Sequence, residues 1–456
     1  MVKIDRHIDV KLPKGIEEIG LTKYYSDLAS VIYRRGLSKH QSDDSLFSTR
    51  KEIRYCIDSS KAMKLFDELL ESTGMEEKIW SDPWVQNIYC DTRILGLPLG
   101  FGFRARQNKE YPSQPDFVNE TAHIELTCTS FDCKDKIRTD TSLHEILCDI
   151  NSIESVAHGK LEPYLASSYL RRPMQSEGIR INVDNNIRGF WALPDMKYSE
   201  FKMPDVSVFE VKFAGSSQLS KKAIDLIEAY GAIPAPGKHY KLYSESIRAS
   251  LEDEKKFGTK SFPGYEYEVK MDALNDLPFK NFTEALYSGR ISWLKPLYTV
   301  PTPFIRETIN EYRILNGTTA RFTYNGTLKP RAVIKNRGEF LYGSVLKRTE
   351  EEVHFEMKDV CYIKSLPLVG VSKRAKEFIE TLSASGNHYS VSVDRNIKAD
   401  NGALYQIEVE YRSSLNERAS EDAIAEEIRR IAGIFISNWE ARLSKTRKED
   451  WVRWME

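Results

Sequence analysis

The sequence predicts an α+β protein built on two successive antiparallel β-barrels with flanking helices, and three observations carry that reading. Segment after segment alternates apolar with charged residues, the period of a strand whose two faces meet different surroundings. The pattern runs through the chain twice, broken near residues 247–264 by IRASLEDEKKFGTKSFPG, a charged stretch almost free of aliphatics that ends in Pro263-Gly264. The charged faces mix Arg and Lys with carboxylates, which tolerate burial only when paired. An antiparallel barrel accommodates both faces by closing with charge inside and apolar residues against helices.

Composition sets the limits. At 456 residues the chain exceeds a single core and fits two or three domains. With 41% hydrophobic and 29% charged residues it reads as a soluble globular protein. Its 66 basic and 67 acidic residues nearly cancel, so a polyanion must be bound by local clustering rather than by a global field. The six cysteines form no CxxC pair and the eight histidines no HxxxH pair, which argues against zinc. The opening MVKIDRHIDVKLPKG has no apolar core of a leader, and no stretch approaches about 18 apolar residues. A cytoplasmic protein with no membrane segment is expected.

In chain order, residues 1–47 form an arm with one helix, from about Leu21 to Arg35. EIRYCI, from Glu52 to Ile57, is the first strand and sets Arg54 apart from Ile53 and Tyr55. Ser59 or Ser60 then caps a helix over Lys61 to Glu71. GFRARQ places Arg104 with Arg106, and AHIELTC places Glu125 with Thr127. KDKIRTD aligns Lys136 with Arg138, GIRINVD exposes Arg180 on one side, and VFEVKF sets Glu210 and Lys212 against Phe209, Val211 and Phe213. After the break, YEYEVKM puts Glu266, Glu268 and Lys270 on one face and Tyr265, Tyr267, Val269 and Met271 on the other. HYSVSVD sets Ser390, Ser392 and Asp394 against Tyr389, Val391 and Val393, and YQIEVEYR sets Glu408, Glu410 and Arg412 against Ile407, Val409 and Tyr411. The first and last strands of a closing barrel become neighbours, which would gather Glu266, Glu268, Glu408 and Glu410 on one wall. Ser420 caps a last helix carrying Ile424, Ile428, Ile431, Phe435 and Trp439 at three- and four-residue steps. For a single strand, a charged face turned to water is the favoured explanation of the alternation; some ten strands of this kind do not fit that explanation. LGLPLGFGF has no lysine at the spacing of a Walker phosphate loop.

The order EIRY, helix, YCDTR, FRAR, IELTC, KDKIR, LEPYLASSYLRR, IRINVDNNIR, VFEVKF and KHYKLYSE resembles the polyphosphate-polymerase domain of the vacuolar transporter chaperone (VTC) family. The second half, with Glu266-x-Glu268-x-Lys270 and its closing acidic strand, resembles CYTH proteins. Both belong to the triphosphate tunnel metalloenzymes, so the resemblance implies two tandem eight-stranded tunnel barrels. It implies a VTC-like domain at 48–246, a linker at 247–260 and a CYTH-like domain at 261–456. It also implies phosphate-binding roles for Arg54, Arg104, Arg106, Lys136, Arg171 and Arg180, catalytic roles for Lys212 and Lys241, and a metal role for Glu210. In the second half it implies metal binding by Glu266, Glu268, Glu408 and Glu410, a catalytic role for Lys270, and substrate contacts from Arg321, Lys335, Lys347 and Arg412, with Arg313 and Arg348 as further cations. One departure stands out: Glu125 is followed by Thr127 where VTC members usually carry lysine.

Such sites imply an enzyme using Mg²⁺ or Mn²⁺ for phosphoryl transfer, because fixed cations stabilise the charge that moves to the leaving oxygen. The attacking group decides the reaction. A chain-terminal phosphate would make this an ATP-consuming polyphosphate polymerase. Water would make it a triphosphatase acting on nucleotides, inorganic triphosphate or RNA 5′ ends, and no turnover would leave a polyphosphate- or nucleotide-binding protein.

Overall fold

The computed structural model describes residues 12–13, 16–37, 51–92, 97–130, 133–153, 160–192, 198–201, 205–214, 217–234, 262–298, 304–324, 331–336, 338–355, 360–398, 402–415 and 419–453. The expected linker at 247–260 and Lys241 lie outside them. The chain divides into two compact units, one of Met1–Ile53 with Asp58–Tyr230 and the other of Gly231–Glu456 with Arg54–Ile57.

Eight long strands build the first sheet: β1 (Lys51–Asp58), β2 (Trp84–Asp91), β3 (Phe101–Lys109), β4 (Thr121–Ser130), β5 (Cys133–Ser142), β6 (Glu162–Ser176), β7 (Ile179–Ala192) and β8 (Val206–Phe213). They pair in the order β1-β8-β7-β6-β2-β3-β4-β5, with short strands at 76–77, 198–201 and 233–234 added at the margins. Among the described residues this path stays open, so the expected closure of the first barrel is not seen. Helices α1 (Thr22–Arg34), α2 (Ser59–Thr73), α3 (Leu143–Asn151) and α4 (Lys221–Ala229) accompany it. Helix α2 starts two residues before the expected Lys61 because Asp58, rather than a serine, caps it: its carboxylate accepts the Ser60 N–H at 2.9 Å.

The second sheet contains β9 (Tyr265–Ala273), β10 (Phe304–Leu315), β11 (Thr318–Tyr324), β12 (Arg331–Lys335), β13 (Val345–His354), β14 (Leu368–Ser383), β15 (Asn387–Lys398) and β16 (Ala403–Ser414). The order is β13-β12-β11-β10-β14-β15-β16-β9, and β9 pairs back onto β13, closing a ring of eight strands. Short strands at 294–296, 339–341 and 442–443 extend it. Its helices are α5 (Leu277–Tyr287), α6 (Val360–Ser365), α7 (Glu421–Asn438) and α8 (Lys448–Arg453).

Period-two alternation decides which side is which. Tyr267, Val269, Met271, Val391, Val393, Ile407, Val409 and Tyr411 are all buried. They share the faces of β9, β15 and β16 opposite the charged residues, and α7 packs over β9 and β16. Ser420 Oγ accepts the Ala423 N–H at 3.2 Å, as the sequence indicates, and Ile424, Ile428, Ile431 and Phe435 are buried. Phe435 stacks on Phe282 of α5 with ring centroids 4.8 Å apart. A second apolar cluster, Leu315, Ala320, Phe322, Tyr324, Ala332 and Ile363, covers the opposite flank, leaving the charged faces of the ring turned to one another. Among the described residues no helix is long and apolar enough to cross a membrane.

Candidate functional site: a charged cavity within the ring

A cavity of about 1290 Å³ is lined by residues from all eight strands of the ring and by the C-terminal segment 443–449. Ten cationic and eight acidic side chains line it, an excess of two positive charges. Strand pairing explains the placement of the acids. On β9 and β16, Glu268 stands opposite Glu410 and Lys270 opposite Glu408, while Glu266 faces Arg348 of β13. The two acidic strands are therefore neighbours, as the alternation anticipates.

The carboxylates of Glu266, Glu268, Glu408 and Glu410 are each held by fixed cations. Arg348 reaches Glu266 at 2.7 Å and also binds Glu268, while Lys335 lies 2.9 Å from Glu266. Lys270 bridges Glu268 at 3.2 Å and Glu408 at 3.4 Å. Glu408 also meets Lys448 at 2.7 Å and Lys376 at 3.3 Å, and Arg374 pairs with Asp394 at 2.6 Å. Burial opposes the charge on Glu266, but Lys335, Arg348 and Lys270 outweigh it and hold the carboxyl well below its usual range. Glu410 differs. Burial pushes its carboxyl up, and Glu266 adds to that, although Arg412 lies 2.7 Å away.

Guanidinium donors are left over. Arg321 lines the cavity, makes no side-chain hydrogen bond or ion pair among the described residues, and buries its Nε without an acceptor. Arg374 also buries an Nε with no acceptor. Orphaned donors of this kind are costly in a finished core and natural where an anion is to be received.

Several expected residues meet here: Glu266, Glu268, Lys270, Arg321, Lys335, Glu408, Glu410 and Arg412 all line the cavity. Lys347 does not. Because Glu266 pairs with Arg348, alternation turns Lys347 to the outer face, where it binds Glu421 at 2.7 Å and Glu339 at 3.4 Å. Arg313 shares the parity of Ile309 and Leu315 on the outer side, and its guanidinium donates to the carbonyls of Lys364 and Leu366. Arg374, Lys376 and Lys448 are cavity residues that the sequence did not single out. The first two were detectable as alternate residues of SKRAKEF, whereas Lys448 sits on a six-residue helix with no periodic signal.

The first sheet gathers a second charged cluster. Glu125, buried on β4, meets Arg104 at 2.7 Å, Arg138 at 3.1 Å and Lys136 at 3.4 Å. Thr127 donates to the same carboxylate at 3.0 Å. Arg171 grips Asp184 with two bonds of 2.6 and 2.7 Å, and Glu210 is held by Lys212 at 2.5 Å and Asn182 at 3.1 Å. Arg106 donates to Asn87 at 3.0 Å and to the Tyr169 hydroxyl at 3.2 Å, both neutral groups. Arg180 stands opposite Lys212 on the β7–β8 pair, and Arg54 lies half-buried on β1.

Carboxylate oxygens are the hard donors that Mg²⁺ and Mn²⁺ accept. Among the described residues no group of three or more His, Cys, Asp or Glu side chains is placed to hold a metal ion. Mg²⁺ commonly takes only one or two carboxylates and fills its shell with water and substrate phosphate. The cross-strand pair Glu268 and Glu410 fits that mode.

The sequence matches no family model and no curated protein. Among solved structures, the chain is similar to the Mimivirus capping enzyme triphosphatase at 11% identity, over 38% of this chain and 91% of that one, with a TM-score of 0.26. A second similarity is to the RNA triphosphatase domain of a trifunctional mimivirus mRNA capping enzyme, at 11% identity over 42% and 98% of the two chains, with a TM-score of 0.25. A third is to the Schizosaccharomyces pombe Mediator head module, at 7% identity over 40% and 90%, with a TM-score of 0.23. Each similarity covers about two fifths of this chain.

Proposed function

We propose that the ring cavity binds a triphosphate together with Mg²⁺ or Mn²⁺ and hydrolyses it. The observation that carries this reading is the set of guanidinium and ammonium groups converging from opposite walls, with donors of Arg321 and Arg374 left without acceptors. A triphosphate bears about four negative charges; joined to one divalent cation it matches the two-charge excess of the lining.

Lys270, Arg348 and Lys376 lie beside Glu268, Glu266 and Glu408 and would donate to phosphate oxygens. Their positions are set by strand pairing before substrate arrives, so little reorganisation is needed when charge builds on the leaving oxygen. Burial in a protein-lined cavity strengthens each of these interactions relative to water. A Mg²⁺ or Mn²⁺ ion held by Glu268 and Glu410 would supply Lewis-acid polarisation of the phosphorus.

A second reading, an ATP-consuming polyphosphate polymerase in the first unit, is favoured by Arg106, whose hydrogen bonds go to neutral partners beside Arg104 and Arg171. Incubation with ATP or tripolyphosphate and Mg²⁺ or Mn²⁺, with orthophosphate, polyphosphate and cyclic nucleotide separated, tests both. Under the first reading Glu268→Ala loses phosphate release and Glu210→Ala retains it; under the second, Glu210→Ala loses polymer and Glu268→Ala does not. Turnover undiminished in excess chelator contradicts either.

A further inference from the structure

The cavity contains a carboxylate–imidazole–hydroxyl chain that none of the phosphate-binding roles uses. Glu380 of β14, His388 of β15 and Ser413 of β16 all line it. His388 Nε2 lies 2.8 Å from Glu380 Oε2, and His388 Nδ1 lies 3.2 Å from Ser413 Oγ. His388 and Ser413 are both buried, at 6% and 7% exposure, so these bonds are shielded from exchange with water.

A break in strand register makes the arrangement. His388 pairs with Ser413 but Tyr389 pairs with Tyr411, so Arg412 is an extra residue in β16. In a regular strand, neighbours point to opposite faces; the bulge lets Arg412 and Ser413 both line the cavity. Bulges re-aim side chains in this way beside functional sites.

The protonation pattern follows from the partners. An ionised carboxylate only accepts, so Glu380 fixes the imidazole proton on Nε2. Nδ1 then presents a lone pair to the Ser413 hydroxyl, which donates to it. This is the disposition that activates a hydroxyl as a nucleophile, with the acid orienting the base.

Resting on the reading of the cavity as a triphosphate site, we propose that Ser413 accepts a phosphoryl group from the bound triphosphate. Ser413 Oγ forms a bond to the terminal phosphorus as the bridging P–O bond breaks, and that electron pair leaves with the pyrophosphate oxygen. The hydroxyl proton passes to His388 Nδ1, and Glu380, a positioning residue, stabilises the imidazolium. Water then attacks the same phosphorus as the Ser413 Oγ–P bond breaks; His388 Nδ1 returns its proton to Ser413 Oγ, and the water oxygen leaves in orthophosphate.

The full chain is incubated with tripolyphosphate and Mg²⁺ or Mn²⁺, quenched rapidly in acid, and mapped by peptide mass. The expected result is an acid-stable phosphate ester on Ser413, absent in Ser413→Ala and formed about 10²–10⁴ times more slowly in His388→Gln. Glu380→Gln, which no longer fixes the tautomer, slows ester formation while tripolyphosphate binding, read by calorimetry, is retained. Calorimetry on all three variants separates chemistry from misfolding. Turnover with no ester on Ser413 at any quench time overturns the proposal and leaves the triphosphate reading standing. Wild-type protein that neither binds nor turns over tripolyphosphate overturns both.

Discussion

Glu125 is buried among Arg104, Lys136 and Arg138, and its protonation shows how these clusters hold together. Burial works against its charge, but the three cations outweigh it and set its pKa well below the usual carboxylate value of 4.5. The unfolded chain therefore binds more protons between that ordinary value and the lower folded one. Stability from this group is complete above pH 4.5 and is lost as pH falls through the folded pKa. Acid denaturation followed by circular dichroism is expected to show a steeper fall below that pH in wild type than in Glu125→Gln. Lys280 and Glu377 form an ion pair, both fully buried and 2.6 Å apart. Lys280→Met strands a buried carboxylate and should cost about 3–5 kcal/mol in denaturant unfolding. In the ring, Arg348 contacts both Glu266 and Glu268, so Arg348→Ala removes a fixed donor. The expected loss of triphosphate turnover is about 10²–10³-fold, read as kcat at saturating substrate.

Among the elements, the period of two made most of the second sheet legible. Glu266, Glu268 and Lys270 share one face, with Tyr267, Val269 and Met271 on the other, as their alternation requires. The choice between Lys347 and Arg348 was not legible. In LKRTEEE two adjacent residues are basic, and only the pairing of Arg348 with Glu266 decides which one turns inward. Ser413 was hidden for the opposite reason, since the extra residue in β16 breaks the rule that alternation relies on. Lys448 arrives on α8, whose seating depends on a tertiary fit: a Cβ on Gly370 would lie 2.0 Å from Val452 Cγ1. Gly370→Ala must therefore push the Val452 side chain of α8 away from β14, at a cost of about 1–3 kcal/mol. Faster proteolytic cleavage around residues 444–447 in that variant is the expected outcome, and wild-type protease resistance would contradict the fit.

Across the chain as a whole, the two halves share a strand plan but differ in closure. The second sheet returns on itself through the β9–β13 pair, while the described path of the first ends at β1 and β5. The reason closure was expected twice is that local alternation is the same in both halves, and closure is a property of pairings between strands distant in sequence. Whether the ring cavity is the triphosphate site can be decided with crystals grown in tripolyphosphate and Mn²⁺, because manganese scatters anomalously and phosphate density is unambiguous. Phosphate oxygens are expected within hydrogen-bond distance of Lys270, Arg321 and Arg348, with a manganese peak beside Glu268 and Glu410. Tripolyphosphate bound elsewhere, with the carboxylates of the ring still paired to Lys270 and Arg348 as they are without ligand, would contradict that assignment.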